Sequence, residues 1–144
     1  MLLMFNFIVT GCKGAWDNKQ YELDLSRFGE YTDKEIIQRY KPLTNTIISE
    51  LLSFPTLFAY EQGHNADAHI GFLKLIRSRG KLQIEYEFYP NSPTIPAMEI
   101  NKLAWELDIG EWEMNRTHWA LKDIDLFSVL VDVGLITKAQ IPNS

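Results

Sequence analysis

His69-Ile70-Gly71-Phe72-Leu73-Lys74-Leu75-Ile76-Arg77-Ser78-Arg79-Gly80-Lys81-Leu82-Gln83-Ile84-Glu85-Tyr86-Glu87-Phe88 decides the fold. Ser78-Arg79-Gly80 reads as a turn between two runs of β-formers. In the second run Leu82, Ile84, Tyr86 and Phe88 alternate with Gln83, Glu85 and Glu87. That period of two belongs to a strand with one buried and one wet face. The stretch predicts a long hairpin with Tyr86 and Phe88 inward and Glu85 and Glu87 in water. Gly71 marks a bulge or bend, and a partly closed barrel is the variant of the sheet that such a bend allows.

Towards the N-terminus, residues 56–61 read as a strand and Gln62-Gly63-His64-Asn65-Ala66-Asp67 as a polar loop. A helix over 43–52 carries Leu43, Ile47, Ile48 and Leu51 at helical spacing, and Pro55 prevents its extension. Thr32-Asp33-Lys34-Glu35 has the form of a capping box opening a shorter helix with Ile36, Ile37 and Tyr40 inward, interrupted at Pro42. Residues 5–10 and 21–26 read as strands, joined as a hairpin through a long loop that carries Trp16.

Towards the C-terminus, a third helix is expected over 97–108, with Ile100, Leu103, Ala104 and Leu107 on one face and Gly110 as its stop. A last strand over 115–121 sets Thr117, Trp119 and Leu121 against Arg116, His118 and Ala120. Asp123 or Asp125 then caps a helix with Leu126, Val129, Leu130 and Val133, ended by Gly134. The sum is a single α+β domain over 1–138 with a flexible tail over 139–144. It has a mainly antiparallel, twisted sheet of about 5–6 strands and about four short helices.

Bulk properties narrow the function. The 144 residues carry a net charge of −5 and suit one domain. The one basic cluster, Lys74, Arg77, Arg79 and Lys81, lies at the hairpin tip and reads as a solvated face, so nucleic acid is not the expected partner. Cys12 is the single cysteine, read as a small buried side chain, which favours a reducing, cytoplasmic setting. Val9-Thr10-Gly11-Cys12 has the outline of a lipoprotein cleavage site. The short apolar run before it lacks a basic n-region and contains Asn6, and is read instead as a buried first strand. No run reaches the ~18 apolar residues of a membrane span.

No motif for nucleotide, cofactor or zinc binding, or for a nucleophile elbow, occurs, so no catalytic residue, metal or cofactor is assigned. His64 and His69 flank Asp67 at a spacing that fits no metal site, and Met4, Met98 and Met114 read as gap filling. The most unusual local composition is 111–119, with Trp112, Glu113, Asn115, Arg116, His118 and Trp119. A planar guanidinium and indole faces suit a small anionic ligand or a protein partner. Bracing of the join between helix and strand is the alternative use of the same residues. The leading expectation is a non-catalytic binding module for a protein partner, a second copy or a small anion. Against it stands a small hydrolase or ribonuclease-like enzyme, with His118 as base, Arg116 stabilising charge and Glu113 or Asp123 orienting the imidazole.

Tyr21-Glu22-Leu23-Asp24-Leu25-Ser26-Arg27-Phe28, the 112–120 string and Lys122-Asp123-Ile124-Asp125-Leu126 resemble a small uncharacterised bacterial domain family. Its members stand alone or beside effector domains in gene neighbourhoods of phage defence. The resemblance implies a bacterial or phage intracellular protein that binds a partner, and assigns no role to any residue.

Overall fold

The computed structural model describes residues 3–142. Six strands, β1 (Phe5–Thr10), β2 (Gln20–Asp24), β3 (Pro55–Tyr60), β4 (His69–Arg79), β5 (Lys81–Phe88) and β6 (His118–Lys122), form one sheet in the order β2-β5-β4-β3-β1-β6. The helices are α1 (Lys34–Tyr40), α2 (Asn45–Ser53), α3 (Ala97–Lys102) and α4 (Leu126–Asp132). Every pairing is antiparallel except β1 with β3. The fold is α+β on a mixed, mainly antiparallel sheet. Among the described residues no helix is long and apolar enough to cross a membrane.

Burial explains the strand order. Every residue of β1 is buried, so it occupies an inner position with neighbours on both edges and layers on both faces. A parallel partner needs a crossover connection, and 11–54, with α1 and α2, supplies it. The expected hairpin of the first two strands is therefore not formed: β1 pairs with β3 and β6, while β2 pairs with β5 at the far edge. Complete burial of β1 called for sheet neighbours on either side, whereas β2, with one inward side, suits an edge.

One face of the sheet packs Ile8, Phe58, Leu73, Leu82, Ile84, Tyr86, Trp119 and Leu121 beneath α1 and α2. The other packs Phe5, Phe7, Val9, Leu57, Ile70 and Ala120 beneath α3 and α4. Trp16 plugs the first core. Its Nε1 donates to the Ala59 carbonyl at 2.7 Å, and its ring meets Phe58 and Tyr86 edge-on. Asn6, the polar residue of the apolar first strand, is fully buried and satisfied. It donates to the Leu51 carbonyl and Thr56 Oγ1, and accepts from Trp119 Nε1 at 3.0 Å.

The sheet does not close into a barrel. The edge strand β2 nonetheless comes near the other end of the sheet: Thr10 Oγ1 at the end of β1 and Tyr21 Oη of β2 are 2.7 Å apart, and Phe28, just after β2, bridges to Trp119 of β6. Residues 25–29 span the gap, so β2 and β6 never pair directly.

The hairpin forms as expected, with Gly80 at φ 74° in its turn. Tyr86 is buried, while Phe88 is only half-buried, covered in part by the His69 ring stacked on it at 4.2 Å and by Lys19 Nζ over its face. Burial pushes the Tyr86 hydroxyl pKa up and the His69 imidazole down. The bulge lies between Leu73 and Leu75 rather than at Gly71. Gly71 serves a close approach: a Cβ there would run into the Glu87 carbonyl of β5. Gly71→Ala is therefore expected to cost at least about 1–3 kcal/mol by overpacking a paired backbone. Urea unfolding checks it, and an unchanged midpoint would show that the strands part freely there.

Several boundaries differ from expectation for identifiable reasons. Asp33, not Thr32, caps α1, accepting from the Glu35 amide at 3.0 Å. Thr32 is engaged elsewhere, its Oγ1 accepting from the Leu121 amide of β6. Leu43 sits at φ 50°, so α2 begins after the Thr44 cap. The third helix stops at Lys102, and 103–109 continue as irregular turns with Leu103 and Leu107 still buried. Gly110 does not stop a helix; its amide donates to the Glu113 carboxylate at 2.9 Å. Asp125 caps α4. Cys12, expected to be buried, is exposed in the turn that follows β1. Lys138–Gln140 form a short 3-10 turn closed by a capping box, and Ile141 packs on the second core. The expected tail extends into 143–144, and the first strand's lead into 1–2, which lie outside the described residues.

Candidate functional site: exposed indoles on a buried charge network

The segment 97–122 builds the site. After α3 the chain turns through 103–109, where Asp108 adopts φ 58°. It then makes a 3-10 turn at Glu113–Asn115 and enters β6. What fixes this path is a buried cluster of Glu113, His118 and Lys122.

Lys122 Nζ has three donors and meets three acceptors: the Tyr31 carbonyl at 2.9 Å, the Asp108 carbonyl at 2.6 Å and Glu113 Oε1 at 2.9 Å. Glu113 Oε2 lies 2.9 Å from His118 Nε2. His118 Nδ1 lies 2.6 Å from the Arg116 carbonyl, which can only accept, so Nδ1 carries its hydrogen. Phe7 and Tyr31 pack against the imidazole ring. The buried charges are thus paired and hydrogen-bonded, the condition on which such groups survive away from water.

The six residues singled out in the sequence divide into two sets. Glu113, His118 and Trp119 point inward and are fully buried, with Trp119 edge-on to Phe28 at 4.9 Å. Trp112, Asn115 and Arg116 face solvent. Arg116 does not open the last strand, which starts at His118 because the preceding turn draws the Glu113 carboxylate inward. Its guanidinium grips Glu30 with two bonds, 2.7 and 2.9 Å. Those bonds hold the Glu30 carboxyl below its ordinary range against the opposing effect of desolvation. The expected anion ligand is thereby occupied by an internal carboxylate.

The outward set contains a residue that the sequence reading passed over. Trp105 is 91% exposed and Trp112 66%; Met98, expected to fill a gap, is also 66% exposed. The signal for Trp105 was present. It stands two residues from both Leu103 and Leu107, roughly 200° around a helix from each, which turns it away from the inward face.

Other features are plainer. A surface depression of about 650 Å³ beside β2 carries mixed charge, with Lys13 and Arg77 against Glu22 and Glu85, and none of the six residues lines it. His64 lies beside Tyr60 and His69 on Phe88, so the two imidazoles serve different aromatic neighbours. Comparison with protein-family models, curated proteins and solved structures gave no match to this chain.

Proposed function

We propose that the protein is a non-catalytic binding module that docks a protein partner through residues 97–114. The observation that carries this is the exposure of Met98, Trp105 and Trp112 on one connecting segment. Tryptophan is enriched at the energetic centres of interfaces, where a large rigid ring is covered on binding. The buried network ties down Asp108, Gly110 and Glu113 between the two indoles and just after the second, which reduces the ordering cost of association.

Two features favour docking over the other readings. A general base must reach its substrate, and both nitrogens of His118 are engaged inside the fold. A small anion would need the guanidinium that Glu30 already holds. The family resemblance adds a bacterial phage-defence or counter-defence setting to the proposal.

The test is affinity capture from the native cells with the wild-type chain and a Trp105→Ala/Trp112→Ala variant. The variant is expected to unfold within about 0.5 kcal/mol of wild type, since it removes exposed side chains, and to lose the captured partner. A partner retained equally by both chains would overturn the docking surface.

A further inference from the structure

Resting on the docking role proposed above, we infer that the partner presents a basic segment, whose arginine or lysine heads cover Trp105 and Trp112. The charges around the two indoles carry this. Within 97–114 the one cation is Lys102, and Glu99 lies 3.6 Å from it. Glu106, Asp108 and Glu111 are exposed, and among the described residues none of their side-chain carboxylates has a cationic group within 4.0 Å, Lys122 meeting Asp108 at its backbone carbonyl alone. Glu106 follows Trp105 and Glu111 precedes Trp112 in the chain, and all four side chains are exposed, so each open indole is next in sequence to a carboxylate without an ion-pair partner among the described residues.

A cation is the group that both parts of this surface attract. The indole face carries the negative lobe of its quadrupole and is the strongest aromatic partner for a cation. The carboxylates add an attraction that steers encounter and rejects acidic partners. A guanidinium is the better fit of the two cations, because it stacks on an aromatic plane and bonds a carboxylate through its edge. The same charges disfavour a symmetric dimer through this patch, which would set the carboxylates of one copy against those of the other. The basic cluster with which a second copy would meet the patch is its hairpin tip, Arg77, Arg79 and Lys81, all exposed.

The experiment titrates the full chain with a short oligo-arginine peptide. It follows the four indole N–H signals by NMR, with an oligo-glutamate peptide and a neutral apolar peptide as controls. Oligo-arginine is expected to shift the Trp105 and Trp112 signals saturably and leave Trp16 and Trp119 in place. Binding should weaken about tenfold or more in a Glu106→Gln/Asp108→Asn/Glu111→Gln variant. It should also fade at ~1 M salt, where the screening length falls to about 3 Å. No shift at the two exposed indoles would overturn the inference, as would equal binding by the neutralised variant, which would mean attraction to the overall acidic surface alone. Saturable binding of the neutral peptide in place of oligo-arginine would overturn the basic partner while keeping the docking surface. Loss of docking itself is read separately, from the Trp105→Ala/Trp112→Ala capture. Self-association of the purified chain that Arg77→Glu/Arg79→Glu abolishes would replace the basic partner by a second copy.

Discussion

Replacing Glu113 by alanine is expected to cost about 3–5 kcal/mol, read as a large drop in the urea midpoint with an unchanged slope. The carboxylate meets Lys122 Nζ, His118 Nε2 and the Gly110 amide, and the side chains of Glu113, His118 and Lys122 are all buried. Its removal leaves the Lys122 charge with carbonyl partners alone and takes away the partner of the Gly110 amide and of His118 Nε2. The discriminating variant is Glu113→Ala combined with Lys122→Met. Taking away both charges is expected to recover much of the loss, because a buried pair is weak evidence for net stability while a broken pair is costly. A double variant as unstable as the single one would mean that shape, rather than the stranded charge, sets the cost.

Trp16→Ala is expected to be comparably severe, at about 3–5 kcal/mol for an aromatic removed from a core. The side chain is fully buried in a segment with little regular structure, so its role is to fill the end of the first core. The loss also strands the Ala59 carbonyl that Trp16 Nε1 reaches. Thermal unfolding followed by far-UV dichroism checks this, and a melting temperature within a degree or two of wild type would contradict it. Trp16 and Trp105 together make the comparison informative: the same residue type and the same substitution, with opposite expectations because one ring is sealed and the other is open.

What the sequence revealed depended on whether a residue's role was local. Alternation in 82–88 follows from the strand's own two faces, and the hairpin, its turn and the inward Tyr86 were legible. The partner of β1 was not, because pairing with β3 and β6 is settled by residues about 50 and 110 positions away. Thr32 illustrates the same limit. Its spacing to Glu35 matches a capping box, yet a backbone amide of β6 claims its hydroxyl. In the candidate site the composition of 111–119 flagged the right region, and alternation within β6 placed Trp119 with Leu121 correctly. It could not separate Trp112, which faces water, from Glu113, which the turn draws inward to Lys122. The pairing of Arg116 with Glu30, 86 residues apart, left no local trace.

The central claim is that partners meet this protein at its exposed indoles. Hydroxyl-radical footprinting of the chain, free and in the complex isolated from its native cells, tests it most directly. Trp105 and Trp112 are expected to oxidise readily in the free chain and to be protected in the complex, while Trp16 and Trp119 stay protected in both. Unchanged oxidation of Trp105 and Trp112 in the complex, with protection falling instead around Lys13, Gln20 and Arg77 beside β2, would contradict it.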